Sequence, residues 1–177
     1  MRTCIFDMET KGFDADFDRM LCAVVKEYGT RRDPVVIRPN DHMNDDDAIV
    51  KLRDKIESFD ILVTFYGKGF DIPWLNSRLL LIGERRLKKM FHIDLYYVFR
   101  NKAKRAVRRK SLAHVGDILN LDEQKMHISN AVWRAAHDGD EAAIQKIITR
   151  CLSDVEMTEM VYNKLKDCGW IDTLQKD

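Results

Sequence analysis

Residues 2–8 alternate residue by residue. Cys4, Phe6 and Met8 face one way and Thr3, Ile5 and Asp7 the other. A period of two is the signature of a β-strand. Residues 20–28 (MLCAVVKEY) and 35–38 (VVIR) read as its partners, with Asp33-Pro34 as a turn signal before Val35. The pattern then changes to helical spacing. Ile49, Leu52, Ile56 and Phe59 recur over residues 45–59, and Asp45, Asp46 and Asp47 stand at the N-terminal end, where acidic groups suit the helix dipole. Residues 61–65 (ILVTF) form a short buried strand that Gly67 and Gly69 end. A helix follows over about 73–82, since proline is tolerated in a first turn.

Residues 91–99 are apolar and aromatic. Ser111 caps a helix bearing Leu112, Val115, Ile118 and Leu119. Asp140 caps another that runs, straight or kinked, to about Lys166, with Ala143, Ile144, Ile147 and Cys151 on one face and Gly169 as its stop. Three strands, a helix, a strand and then helices give an α/β fold, a mixed sheet flanked by helices.

At 177 residues the chain is expected to be one domain, 1–177, with a core of its own. Its 45% apolar and 33% charged residues exclude a disordered chain, and a net charge of +1 argues neither for nor against nucleic acid. MRTCIFDMET does not read as a signal peptide, and no apolar run is long enough to span a bilayer. Cys4, Cys22, Cys151 and Cys168 show no CxxC spacing. They read as reduced thiols of a cytoplasmic, unsecreted protein, not as a zinc site or disulfide frame.

Asp7 and Glu9, two apart on one strand, share a face. Carboxylates that close repel unless a cation lies between them, and a hard divalent ion with oxygen ligands is the usual one. The alternative is a solvated strand end. Asp71, in the run Gly67 to Leu75, stands where a strand has ended and a helix begins, and it could equally be a helix cap. Asp154 lies in a helical stretch at the edge of the apolar face.

In order and spacing these segments resemble the DEDD exonuclease superfamily, of ribonuclease H-like fold. They are most similar to the proofreading domains of family B DNA polymerases and related stand-alone exonucleases. Phe6-Asp7-Met8-Glu9-Thr10 looks like the first exonuclease motif. Phe65 to Leu75 looks like the second and Leu152 to Val161 like the third; His92 to Leu95, Lys110 to Leu112 and Val115 to Leu119 look like the segment between. The resemblance implies that Asp7, Glu9, Asp71 and Asp154 are catalytic metal ligands holding two Mg2+ ions, with Mn2+ as a substitute. Two such ions about 3.5–4 Å apart can activate water and stabilise a leaving oxygen, and four carboxylates offset their charge. It also implies a single-stranded DNA or RNA substrate, cut from its 3′ end, and a polymerase or a replication or repair protein as partner.

Relatives carry a tyrosine four residues before the last aspartate or a histidine five before it. Here those positions are Arg150 and Thr149. Arginine stays protonated and cannot serve as a general base; it could bind phosphate. Tyr66 stands where relatives often have asparagine, and its phenol is one replacement for the missing group. His127 and His137 are outside candidates. Thr10, Tyr66, Phe70, Trp74 and Arg150 are expected nucleic-acid contacts. Residues 100–110 (RNKAKRAVRRK) add Lys102, Lys104, Arg105, Arg108 and Arg109, a basic run suited to phosphates. A solvated face is the plain alternative for that run. Three readings stand: an exonuclease, a catalytically impaired module that binds nucleic acid or protein, and a structure-specific endonuclease.

Overall fold

The computed structural model describes residues 1–102, 107, 109–121 and 126–171. Among them five strands make one mixed sheet: β1 (Thr3–Thr10), β2 (Met20–Glu27), β3 (Val35–Ile37), β4 (Ile61–Thr64) and β5 (Phe91–Asp94). Their order is β3-β2-β1-β4-β5. β2 runs antiparallel to both β1 and β3, whereas β4 runs parallel to β1 and β5. The helices are α1 (Asp46–Glu57), α2 (Asp71–Leu81), α3 (Leu95–Lys102), α4 (Leu112–Ile118), α5 (Asn130–His137) and α6 (Glu141–Asp167).

The strict alternation of β1 divides the core into two layers. Cys4, Phe6 and Met8 pack with Ile49, Leu52 and Ile56 of α1 and Leu75 and Leu79 of α2. Ile5, with Cys22 and Val24 of β2, packs on the other face against Ile147, Cys151 and Val155 of α6. Asp7 and Glu9 have the parity of Ile5, so they are directed toward the α6 face. The sheet therefore delivers both carboxylates to the helix that carries Asp154.

The local signals hold where they are local. Ser111 accepts the His114 N–H and Asp140 the Ala143 N–H, so both cap as expected. Gly169 ends α6 at φ 69°. α6 is one continuous helix of 27 residues. β5, α3 and α5 were not predicted; the apolar, aromatic run 91–99 shows no single period because β5 and α3 divide it between them.

Asp45 stands at the N-terminus of α1 as expected, and it is also fully buried, accepts the Met20 N–H at 2.8 Å and pairs with Arg78 of α2. This ion pair ties α1, α2 and the start of β2 together, and only tertiary packing could reveal it. No helix among the described residues is long and apolar enough to cross a membrane.

Candidate active site

The site lies where β1 passes under α6 and meets the N-terminus of α2. Asp7, Glu9 and Asp154 each offer an oxygen, and these atoms lie within 4.8 Å of one another. Asp154 is 2% exposed, so this carboxylate does not face bulk solvent. A register shift between Glu9 and Thr10 marks the end of the regular β1–β2 pairing beside the site. Cys151, one turn before Asp154, sets its Sγ 3.5 Å from the Asp7 carbonyl oxygen, which fixes the height of α6 over β1.

Asp71 is the first residue of α2 and is buried. Burial pushes its carboxyl up to about 7, and the charges of Glu9 and Asp94 add to this. The backbone N–H groups of Asp71 itself and of Met8 work the other way. Asp71 borders an open cleft of about 450 Å³ together with Asp7, Glu9 and Asp154. All four predicted carboxylates thus reach one hollow from three separate parts of the chain.

A second hollow of about 390 Å³ adjoins it. Asp7 and Asp154 border this one too, with Tyr96, Lys110 and Ser111. Tyr66 and Phe65 line both. Tyr66 is 43% exposed and has φ 71°, in the left-handed region. A non-glycine side chain there costs roughly 1 kcal/mol or more, whereas asparagine tolerates it well. The surrounding loop imposes this conformation. Asp94 accepts the N–H groups of Tyr66, Lys68 and Tyr96, and the Tyr66 carbonyl accepts those of Gly69 and Phe70. A Cβ at Gly69 would lie 2.5 Å from the Tyr66 ring, so glycine is what lets the ring lie there. The ring meets Tyr96 edge-on at 4.7 Å and stacks toward Tyr97 at 6.4 Å.

Arg150 enters the carboxylate cluster itself. Its Nε donates to Glu9 Oε1 at 2.8 Å, and its Nη2 lies 3.8 Å from Asp154 Oδ2. Its Nη1 donates to the Met126 carbonyl at 3.1 Å, and the guanidinium carbon lies 5.7 Å from the Trp133 ring centroid. Burial alone would lower its pKa, but the nearby Glu9, Asp154 and Asp7 carboxylates outweigh burial and raise it.

The other predicted residues divide. Phe70 lines the cleft and meets Phe13 edge-on at 5.8 Å. Trp74 is 3% exposed and packs in the core with Leu75 and Leu79, so the expected nucleotide contact gives way to a core role. Thr10 donates its hydroxyl to the Gly12 carbonyl and holds the turn after β1. Thr149 is exposed and bonds back to the Gln145 carbonyl. His127 is exposed and His137 partly buried; neither borders the two hollows. Arg109 is exposed. Lys104, Arg105, Arg108 and the side chain of Lys102 lie outside the described residues. Sequence reasoning missed Phe13, 85% exposed at the cleft edge. An aromatic set among Gly12, Asp14 and Asp16 was the available signal.

The donor set fits a hard divalent cation. The anionic donors lining the two hollows are carboxylates, joined by the Tyr66 and Tyr96 phenols, with no thiol or imidazole among the described lining residues. Burial first, and then Cys22 and Asp7, hold the nearby Cys151 thiol well above its ordinary pKa.

A mixed sheet with three antiparallel-linked strands, two parallel ones and helices on both faces, carrying acidic residues on its central strand, defines the ribonuclease H-like class. The chain belongs to the RNase H superfamily, whose family model matches residues 4–166. Nucleases of this class generally use divalent metals. In structure the chain is similar to the family B DNA polymerase from the hyperthermophilic archaeon Pyrobaculum calidifontis, with a TM-score of 0.70 and 19% identity. That similarity covers 93% of this chain and 24% of the polymerase, so the chain spans about a quarter of the polymerase's length. The likeness is one of fold. No curated protein matches the chain in sequence.

Proposed function

We propose that the chain is a divalent-metal-dependent 3′→5′ exonuclease of single-stranded nucleic acid, with DNA slightly favoured over RNA, built as a single domain over residues 1–177. The observation that carries this reading is the convergence of Asp7, Glu9 and Asp154 within 4.8 Å, with Asp71 on the same cleft. These four carboxylates would be the ligand set for up to two divalent ions. Magnesium suits them, and manganese would substitute, because the donors are hard oxygens. A bound divalent ion supplies activation of water and neutralisation of the phosphate charge.

The chain's own residues do the rest. Asp7 and Asp154, bordering both hollows, fix where the scissile phosphate must come. Tyr66, Phe70 and Phe13 offer aromatic faces along the cleft, which suits unstacked bases of any sequence. Lys110, on the second hollow, and the basic run before it suit the phosphate backbone. The fold likeness to part of a polymerase supports a replication or repair protein as partner.

The test is a 5′-labelled single strand of DNA or RNA with magnesium, manganese or chelator. The expected result is a ladder shortening from the 3′ end, abolished by chelator. An end-blocked substrate that is still cut would make the enzyme an endonuclease. Salt-sensitive binding without cleavage under any metal would favour a catalytically impaired binding module, a reading to which the Arg150–Glu9 pair lends weight.

Tyr66 is proposed to orient the attacking water in place of the tyrosine that relatives carry near the last aspartate. Its strained backbone beside the cleft is the motive. Tyr66→Phe is expected to lower turnover by about 10²-fold, the lower end for a lost acid–base group, with substrate affinity little changed. An unchanged rate would remove this role.

A further inference from the structure

Arg150 stands where a water-orienting group is expected, yet its contacts turn inward, to the ligands. Glu9, Asp154, the Met126 carbonyl and the Trp133 face fix the guanidinium from several sides. We propose that Arg150 is a resident cation that takes the place of one of the two expected metal ions, so that the site loads a single divalent ion on the Asp7–Asp154 side. This rests on the metal-dependent reading above.

Three observations carry it. The first is space. Magnesium lies about 2.1 Å from a carboxylate oxygen. An ion shared by Glu9 and Asp154 would need the room that the guanidinium fills, because Nε is already 2.8 Å from Glu9 Oε1. The second is the division of the hollows. Arg150 lines the hollow that contains Glu9 and Asp71 but not the adjoining one, which Asp7 and Asp154 share with Lys110 and Ser111. That second side is open to an ion. The third is charge. With four carboxylates ionised and Arg150 and Lys110 charged, one divalent ion brings the site to neutrality; a second would leave it positive. A guanidinium cannot lose its proton at ordinary pH, so its charge does not leave with the solvent. Its planar fork also suits a fixed position between two carboxylates better than an ammonium would.

The consequence is a site with one exchangeable cation and one built in. The built-in charge holds Glu9 and Asp154 together before the metal arrives, and it adds a donor near the phosphate.

The test counts bound manganese by the loss of the hydrated-ion electron paramagnetic resonance signal, using the full chain. Wild type is expected to bind one ion per chain. Arg150→Lys, which keeps the charge, should also bind one. Arg150→Gln should bind two, the first at least about tenfold more tightly, because a repelling charge is gone. Two ions bound by wild type, or the same single ion in Arg150→Gln, would overturn the assignment. Asp7→Ala run alongside separates the two levels of the argument. If it binds manganese as wild type does, or if no variant binds any, the metal-dependent reading fails and takes the inference with it.

Discussion

Asp7→Ala is expected to lower phosphodiester cleavage by at least about 10³-fold while leaving the metal-free fold intact. Asp7 offers an oxygen within 4.8 Å of those of Glu9 and Asp154, and it borders both hollows, so a cation on either side of the cluster meets it. Lewis-acid activation contributes several kcal/mol to such reactions, and each 1.36 kcal/mol is tenfold in rate, so loss of one central ligand reaches about 10³ or more. The fold does not depend on this carboxylate in the same way. Its Oδ2 takes a long contact of 3.6 Å from the Cys151 thiol, and the β1 backbone pairing with β2 and β4 does not use the side chain. The measurement pairs single-turnover rates on a labelled strand with thermal melting in chelator. A variant within tenfold of wild type would take Asp7 out of the chemistry; a variant that melts far below wild type would make its role structural.

Asp71→Asn should raise the melting temperature of the metal-free protein at pH 8 by roughly 10 °C, and hardly at pH 4. The sign follows from the direction of the shift. Burial, then Glu9 and Asp94, raise the folded-state pKa from the ordinary 3.8 to about 7. Between these two values the folded protein keeps a proton that the unfolded chain releases. The contribution of Asp71 is therefore fully favourable below about pH 4 and is lost as pH rises toward 7. The whole shift corresponds to on the order of 4 kcal/mol, and a chain of this length gains roughly 2–4 °C per kcal/mol. Asparagine does not titrate, and its amide oxygen can still accept the Met8 N–H. The difference between the two proteins reports Asp71 together with the Glu9 and Asp94 carboxylates whose charges act on it. Parallel pH–stability curves for wild type and variant would refute the assignment. Manganese should narrow the gap at pH 8, because an ion stabilises the ionised carboxylate that the apo site resists.

Within the cleft, sequence and tertiary structure contributed different things. The period of two in β1 already placed Asp7 and Glu9 on one face. The serine and aspartate caps at 111 and 140 were legible because a cap bonds to a backbone N–H only three residues on. The ordered motifs brought Asp71 and Asp154 into the list. None of these signals carries a distance. Arg150 and Glu9 are 141 residues apart and meet only because α6 crosses β1, with the Cys151 thiol against the Asp7 carbonyl.

The same holds for burial. Trp74 and Tyr66 are both aromatic and both lie near the second motif, yet one fills the core between α2 and the sheet while the other is held outward at φ 71° by the Asp94 carboxylate. Asp45, Asp46 and Asp47 look alike in sequence, but only Asp45 is fully buried. Periodicity, caps and motif order are local, and they marked four of the strands, four of the helices and the four candidate carboxylates. Which charges face each other, which aromatics face the cleft, and that a guanidinium stands among the carboxylates are long-range consequences of packing a helix over a sheet, and only the tertiary structure decided them.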